Sequence, residues 1–141
     1  MNITLSIVLI DRKPELCPAV PTRQVASCPD DWLRFMEKCY LFSKTEGNWT
    51  ASQNYCSLYS ASLTRIDSEK EKVFIMRYKG QFDHWIGLQR KPNQSWKWVN
   101  GTELNDSFEI LGTGQCAYVN DNDFGSSSCA REQHWIRSKP A

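Results

Sequence analysis

The clearest hydrophobic pattern of the chain lies in the segment HWIGLQRKPNQSWKW, residues 84–98. The run WIGL at 85–88 is apolar with one glycine inside it, which is typical of a buried strand that another backbone approaches closely. After a polar loop, two tryptophans alternate with polar positions, and the dipeptide Asn100-Gly101 follows. Alternating aromatics before Asn-Gly predict a hairpin with a type I′ turn, since these residues tolerate positive φ. We expect this segment to form the centre of the core.

The segment after Asn48 has the spacing of a short helix. Thr50 can act as its N-cap, because a threonine hydroxyl accepts a hydrogen bond from a backbone N–H of the first turn. Ala51, Tyr55 and Leu58 then recur at the intervals of one helix face. We therefore predict a first helix here.

A second helix is indicated by a capping box, with Ser68 at the N-cap and Glu71 three residues later. This helix should run to about Tyr78 and end at Lys79-Gly80, since glycine favours the conformation that closes a helix. The charged run around the capping box is interpreted as a solvated helix face.

The remaining chain predicts short strands separated by turns. A small hairpin is expected over residues 28–42, and a short strand or turn over 61–66. The elements expected after residue 101 are a polar loop at 102–114, a strand at 115–119, an acidic turn at 120–123 and a last strand at 134–136.

Composition places the chain outside the cytosol. It has 141 residues, enough for one domain, and a net charge of +1 gives no electrostatic reason to expect nucleic acid as a partner. Six cysteines in a short chain suggest disulfides and an oxidising compartment. Sequons of the form N-x-[ST], which agree with an extracellular glycoprotein, begin at Asn2, Asn48, Asn93, Asn100 and Asn105.

The N-terminal part differs in character from the rest. Residues 3–10 are apolar but too few to span a membrane as a helix, and no basic leader or small-residue cleavage site flanks them. They are interpreted either as the outer end of a signal anchor or as a remnant without a structural role. Residues 11–27 contain three prolines and predict a stalk. The expected organisation is a truncated apolar segment and stalk at 1–27 and a folded domain at 28–141.

Several motifs together resemble the C-type lectin-like domain, over residues 28 to about 139. WIGL in this setting is the most specific of them, and the others are CP…W at 28–32, CYLF at 39–42, NWT…C at 48–56, WKW at 96–98, CAY at 116–118 and HWIRSK at 134–139. More narrowly, RYKG at 77–80, DHWIGL at 83–88 and WKWVNGT at 96–102 look like the Clr or osteoclast-inhibitory-lectin group.

The resemblance implies an α+β fold in which two helices pack on antiparallel sheets and disulfides staple the domain. It also implies a function, since members of that group are type II surface glycoproteins, usually homodimers. They act as ligands for lectin-like natural killer receptors of the NKR-P1 family.

The family pattern implies two disulfides, Cys28 with Cys39 and Cys116 with Cys129. It also joins the first helix, here at Cys56, to a cysteine of the last strand, but this chain has Arg137 at that position. Loss of such a long-range bridge typically costs about 2–5 kcal/mol.

Two cysteines, Cys17 and Cys56, are left over. Cys17 lies in the stalk, and its simplest role is to bridge two subunits. Cys56 is interpreted first as a buried thiol, which packs as a small hydrophobe. An intrachain bond between the two remains an alternative, because a stalk is flexible enough to reach.

No cofactor, metal or catalytic site is predicted. In sugar-binding members of the fold, calcium is held by a Glu-Pro-Asn or Gln-Pro-Asp triplet and by Trp-Asn-Asp. Residues 101–116 contain no such proline triplet, and the segment where Trp-Asn-Asp would lie reads DFGSSSC at 123–129. The acidic turn at 120–123 is interpreted as solvated rather than as a cation site. Asp83 and His84 have no partner nucleophile, so we do not expect an enzyme.

We predict a partner-binding face from the strand and turn near residue 120 and the segment before the last strand. Its composition mixes an aromatic side chain with both charge signs, as interfaces do, although plain solvent surface is an equal alternative residue by residue. The candidate residues are Tyr118, Asn120, Asp121, Asn122, Arg131, Glu132, Gln133 and His134. Glycans at Asn48, Asn93, Asn100 and Asn105 are expected to shield other surfaces.

The function predicted from this resemblance is that of a non-enzymatic, homodimeric cell-surface ligand. An NKR-P1-type receptor on natural killer cells would bind it without calcium and thereby modulate, in most cases inhibit, cytotoxicity. One alternative is a glycan-binding lectin that recognises sulfated glycosaminoglycan or a calcium-dependent sugar. Another is a secreted or pathogen-encoded decoy of such a ligand.

Overall fold

The computed structural model describes residues 28–55, 61–104 and 108–141. Two helices and nine strands follow one another in this part of the chain. Their bounds are β1 Leu33–Phe35, β2 Lys38–Phe42, α1 Trp49–Tyr55, β3 Ser62–Leu63, α2 Glu69–Tyr78, β4 His84–Gln89, β5 Lys97–Trp98, β6 Ile110–Leu111, β7 Cys116–Val119, β8 Phe124–Ser127 and β9 His134–Pro140.

The strands form one sheet in the order β1-β2-β9-β4-β7-β8-β6, with β3 beside β9 and β5 beside β4. The α+β class and the disulfide-stapled lectin-like fold are thus confirmed. The antiparallel pairs are accompanied by two parallel ones, β4 with β9 and β6 with β8. The last strand of the chain lies in the interior of the sheet, where it joins the N-terminal hairpin to the WIGL strand.

The WIGL strand is the buried centre that its apolar pattern predicts. Every residue of β4 from His84 to Leu88 is buried. A Cβ atom on Gly87 would lie 2.5 Å from the carbonyl oxygen of Leu63, so only glycine fits where β3 crosses this strand. The main core cluster packs around Ile86 and Leu88, with Phe74 and Ile75 from α2.

The hairpin after β5 is present, but its turn differs from the predicted type I′. Gly101 N donates to Trp98 O, and Trp98 N donates to Thr102 O, both over 2.8 Å. Gly101 has a φ of +93°, whereas Asn100 is not among the residues with positive φ. The arrangement is therefore a type I turn followed by a left-handed glycine. Asn100 contributes its Oδ1, which accepts from Thr102 N.

Helix α1 starts two residues earlier than a cap at Thr50 predicts, and the Thr50 cap was wrong. Asn48 Oδ1 accepts a hydrogen bond from Ala51 N over 2.8 Å, so Asn48 is the N-cap. The buried residues of the helix are Trp49 and Ser52, while Ala51 and Tyr55 are exposed. Trp49 decides this orientation, because its indole Nε1 must reach the carbonyl of Ile86. Leu58, placed on the predicted face, lies outside the described residues.

Helix α2 has the predicted cap, since Ser68 accepts a hydrogen bond from Glu71 N. The interpretation of the charged run as wholly solvated was wrong, because Glu71 is buried. Its carboxylate accepts from the Tyr40 hydroxyl and pairs with Lys38 Nζ at 2.7 Å. Burial, followed by the contact with Glu71, raises the pKa of Tyr40.

Both disulfides implied by the resemblance are present. Cys28 is bonded to Cys39 and Cys116 to Cys129, with Cα–Cα distances of 5.5 and 5.2 Å. The predictions for Cys17 and Cys56 fall outside the described residues. No helix in the described ranges is long and apolar enough to cross a membrane.

Arg137 occupies the position of the family's cysteine on β9. It is buried, and its guanidinium lies 5.0 Å from the ring centroid of Tyr55, at the end of α1. A cation–π contact therefore joins the first helix to the last strand, at the position where the resemblance implies a disulfide.

Candidate functional site

Three elements bring the predicted partner-binding residues to one end of the sheet. His84, the first residue of β4, pairs with Val119 at the end of β7 and with His134 at the start of β9. The acidic turn and the segment before β9 therefore border the same surface. We call this surface, made of residues 81–84, 118–123 and 131–134, the polar face.

A groove of about 270 Å³ crosses the polar face. Its lining residues, at 46, 81–83 and 131–134, combine both charge signs with an aromatic ring. The full lining is Glu46, Gln81, Phe82, Asp83, Arg131, Glu132, Gln133 and His134. The sequence prediction included the last four and missed the first four.

An exposed aromatic ring forms one wall of this groove. Phe82 is 52% exposed, and its ring stacks on the imidazole of His134 with centroids 4.7 Å apart and planes 18° apart. His134 in turn contacts the ring of His84, at 5.3 Å between centroids. The available sequence signal was an aromatic residue in a polar loop just after the glycine that ends α2.

The neutral imidazole of His84 packs against the buried side of the Phe82–His134 stack. It is buried, and Nδ1 lies 2.8 Å from the carbonyl oxygen of Phe82, so this nitrogen carries the hydrogen and donates. Burial lowers the pKa of His84 to about 4, the hydrogen bond to Phe82 opposes this shift in part, and the electrostatic interactions with His134 and Lys79 add to it. The hydrogen bond fixes the loop that carries Phe82.

Arg131 is the exposed cation of the polar face. Its guanidinium lies 5.6 Å from the ring centroid of Tyr118 and 3.7 Å from Asp83 Oδ2, and half of its side chain is exposed. On the other side of the groove, His134 Nδ1 lies 3.6 Å from Glu46 Oε2. These contacts hold charged groups of both signs around the exposed ring of Phe82.

A buried lysine fixes the acidic turn to the end of α2. The side chain of Lys79 is 1% exposed, and Nζ donates to the carbonyl oxygens of Gly80 and Phe82, both over 3.1 Å. The same ammonium lies 3.7 Å from Asp121 Oδ1. The ammonium group of Lys79 therefore contacts two loops of the polar face, the loop after α2 and the acidic turn.

Asn120 closes the acidic turn on itself. Its Oδ1 accepts from the backbone N–H groups of Asn122 and Asp123, over 2.9 and 2.8 Å. Across residues 28–55, 61–104 and 108–141, no group of three or more His, Cys, Asp or Glu side chains is placed to hold a metal ion. One side-chain oxygen of this turn, Asn120 Oδ1, is thus occupied by the protein itself.

Gln133 does not lie on the surface as the sequence analysis supposed. It is 3% exposed, and its backbone exchanges two hydrogen bonds with Gly47. Its side-chain Nε2 and Oε1 are buried without a hydrogen-bond partner among the described residues. Such an unpaired amide is costly, and it lies at the base of the groove.

The sequons do not all lie away from the polar face. Asn93 and Asn100 are exposed on the loops around β5, and Asn105 is outside the described residues. Asn48 is partly exposed and stands between Gly47, which pairs with Gln133, and Trp49, whose N–H donates to Cys129 O. A glycan on Asn48 would therefore border the polar face, in contrast to the prediction.

Two further depressions lie elsewhere on the domain. A mostly apolar groove of about 570 Å³ runs between β1 and α2 and includes Phe35, Val73 and Tyr78. A polar cleft of about 360 Å³ lies between α1 and the loops around β5 and includes Arg90, Lys91 and Lys97.

Known proteins resemble this chain in sequence. The model of the lectin C-type domain matches residues 45–138. Human C-type lectin domain family 2 member D is 48% identical over 114 residues, which cover 81% of this chain and 60% of the relative. Mouse early activation antigen CD69 is 43% identical over 117 residues, 83% of this chain and 59% of the relative. The chain thus spans about 60% of the length of these curated relatives.

Solved structures resemble it in fold. The carbohydrate-recognition domain of mouse scavenger receptor C-type lectin has a TM-score of 0.73 at 26% identity, covering 80% of this chain and 96% of that one. The C-type lectin domain of murine dendritic cell inhibitory receptor 2, in complex with N-glycan, has a TM-score of 0.74 at 25% identity, covering 82% and 100%.

Proposed function

Because this chain belongs to the C-type lectin domain family and is closely related to its family 2 members, we propose that it is the extracellular part of a cell-surface glycoprotein ligand. A lectin-like receptor of the NKR-P1 type on natural killer cells binds it, and this binding inhibits cytotoxicity. The protein acts by binding rather than by catalysis. The receptor assignment rests on the Clr-like motifs of the sequence.

The groove of the polar face is the observation that carries this proposal. It combines an exposed aromatic ring, Phe82, with an exposed and oriented cation, Arg131. Aromatic and arginine side chains dominate the binding energy of many protein interfaces.

The contacts of the acidic turn favour recognition without calcium. A calcium site needs six to eight oxygen ligands that are free to converge. Here Asn120 Oδ1 is occupied by two backbone N–H groups, and the carboxylate of Asp121 is paired with Lys79. The turn is therefore better suited to presenting a fixed shape to a protein than to holding a cation.

The test is binding of the refolded domain, residues 25–141, to cells that display NKR-P1-type receptors, with and without a calcium chelator. We expect binding that survives chelation and that Arg131→Ala weakens by about tenfold, as loss of a strong interface contributor does. Lys91→Ala is the matched control, because Lys91 is an exposed cation beyond the opposite end of β4. Equal losses in both variants would mean that only net charge matters.

We further propose that two copies associate through the apolar groove beside β1. Val73 and Tyr78 are about half exposed there, at 53% and 52%, and β1 is an edge strand of the sheet. The chain enters the folded domain beside β1, so a disulfide between two Cys17 residues would hold the copies together on this side. A dimer also gives two receptor contacts at once, and thus avidity.

The polar cleft supports a second candidate function, the binding of sulfated polysaccharide. Its lining contains the three cations Arg90, Lys91 and Lys97 and no carboxylate. Arg90 is fixed by its stacking on Trp96, at 4.4 Å, and by a hydrogen bond to Gly114 O, while both lysines are exposed. Retention on a heparin column that high salt and Lys91→Ala/Lys97→Ala abolish would support this function. Unchanged retention of the double variant would exclude this cleft.

A further inference from the structure

The chain around Asn48 runs beside the segment that carries the centre of the polar face. Gly47 and Gln133 exchange two backbone hydrogen bonds of 3.0 Å, and Trp49 N donates to Cys129 O over 3.1 Å. Asn48 stands between these two attachments. It therefore lies opposite the short loop, residues 130–132, from which Arg131 projects its half-exposed side chain.

The side chain of Asn48 is held in place and keeps the reactive atom free. Its Oδ1 accepts from Ala51 N as the cap of α1, whereas none of the described hydrogen bonds uses Nδ2, the atom that an N-linked glycan modifies. Thr50, the third residue of the sequon, is exposed. The cap thus fixes the direction in which a glycan would leave the protein.

We propose that an N-linked glycan on Asn48 is a steric gate on the polar face, which slows receptor docking when it is present. This inference rests on the proposed function of that face. A branched, hydrated glycan is bulky compared with a groove of about 270 Å³. It excludes many of the orientations from which a partner can approach, and the association rate falls accordingly. A cell that attaches a glycan to Asn48 in a larger fraction of its molecules is therefore recognised more weakly by the receptor.

The sequon at Asn93 offers a matched comparison. Asn93 lies in the loop that follows the end of β4 at Gln89, whereas the polar face lies at the start of the same strand, at His84. A glycan there borders the polar cleft. Its removal changes the total carbohydrate by one chain without uncovering the polar face.

The experiment compares glycoproteins from mammalian cells, with occupancy at each sequon measured by mass spectrometry. Thr50→Ala removes the Asn48 sequon but keeps the asparagine that caps α1, and Thr50→Ser keeps both. Ser95→Ala removes the sequon at Asn93. We expect Thr50→Ala to raise the association rate with immobilised receptor by roughly three- to tenfold, and the other two variants to match wild type. An unchanged or slower rate in Thr50→Ala, or an unoccupied Asn48 in the wild type, overturns the gate.

A second readout does not need the receptor. Phenylglyoxal modifies exposed arginines, and Arg90, which is partly exposed and follows the end of β4 away from the polar face, serves as the internal reference. We expect Arg131 to react faster, relative to Arg90, in Thr50→Ala than in wild type, and equal ratios overturn the gate. If the ratio rises while neither protein binds receptor, the gate stands and the proposed receptor function fails.

Discussion

The ring of Phe82 lies nearly parallel on the imidazole of His134, with 4.7 Å between the ring centroids. This stack keeps a large exposed aromatic in a single position, so little conformational entropy is lost when a partner covers it. The loop before β4 and the start of β9 thereby present one rigid feature.

We expect Phe82→Ala to weaken receptor binding by about tenfold or more, because a pre-oriented aromatic at the centre of an interface is a typical hot spot. Its folding stability should change little, since half of the ring is already in water. Surface plasmon resonance and urea unfolding measure the two effects. Leu111→Ala, which removes an apolar side chain of similar exposure, 48%, from β6 at the end of the sheet away from the dimer groove, is the control. A comparable loss of receptor affinity in both variants would argue against the polar face.

Asn48 should contribute to stability as a helix cap. In unglycosylated protein, Asn48→Ala should lower the free energy of unfolding by about 1 kcal/mol, while Asn48→Asp, which can cap equally well, should be close to wild type. Thr50→Ala should not destabilise, since Thr50 is exposed and is not the cap. Urea denaturation distinguishes the three, and a loss in Thr50→Ala would restore threonine as the cap.

The buried carboxylate of Glu71 should be the most sensitive polar group of α2. Glu71→Ala leaves the Tyr40 hydroxyl without its partner and removes one of the two carboxylates that pair with Lys38, and the unsatisfied buried groups should together cost about 3 kcal/mol. Tyr40→Phe removes only the hydroxyl and should cost about 1–2 kcal/mol. The midpoints of chemical unfolding would rank them. A smaller loss for Glu71→Ala than for Tyr40→Phe is the contrary result.

Stability should fall as the pH drops below neutrality, through His84. In the unfolded chain its imidazole has a pKa near 6.5, and in the fold the pKa is about 4. Between these values the unfolded state binds a proton that the folded state excludes, so the free energy of unfolding falls from pH 6.5 down to 4 and changes little through this group outside that window. The total effect is about 3 kcal/mol. Urea unfolding of wild type and His84→Gln at pH 7, 6 and 5 measures it, and parallel profiles would assign the dependence to other groups.

The proposed dimer can be separated from the receptor face. Val73→Glu places a charge in the apolar groove and should convert the dimer to monomer, as measured by light scattering under reducing conditions. Leu111→Glu introduces the same charge at another exposed apolar side chain, on β6 at the opposite end of the sheet, and should leave the dimer intact. Dimers that persist in Val73→Glu would place the contact elsewhere.

Short sequence motifs predicted those elements whose conformation depends mainly on residues that are close together in the chain. Ser68 and Glu71 lie three residues apart and cap α2 as expected. The glycine at position 87 predicted that another backbone approaches β4 closely, and the approaching atom is the carbonyl oxygen of Leu63. Strands β6 and β8 gave weaker signals, because both are short and β6 pairs only with β8, in a parallel arrangement.

The candidate site was predicted less well, because its parts come from distant segments. Gln133 is polar in sequence and was expected on the surface, but its pairing with Gly47 draws it inward. Phe82 and Lys79 differ from expectation in the opposite way, because the apolar side chain is exposed and the charged one is buried. Both positions depend on the loop after α2, whose carbonyl oxygens accept hydrogen bonds from the Lys79 ammonium. Asn48 and Thr50 are both good caps, and the distant hydrogen bond from Trp49 to Ile86 decided between them.

The interior position of β9 has a consequence for biosynthesis. Strand β9 follows the other strands in the chain and pairs with β2, β3 and β4, so the sheet cannot be assembled until residues 134–140 have left the ribosome. Until then Gly47 has no Gln133 to pair with, and the sequon at Asn48 stays open to the glycosylation machinery. A glycan attached to Asn48 at this stage would be joined to an incomplete domain, and folding would then carry it to the rim of the groove.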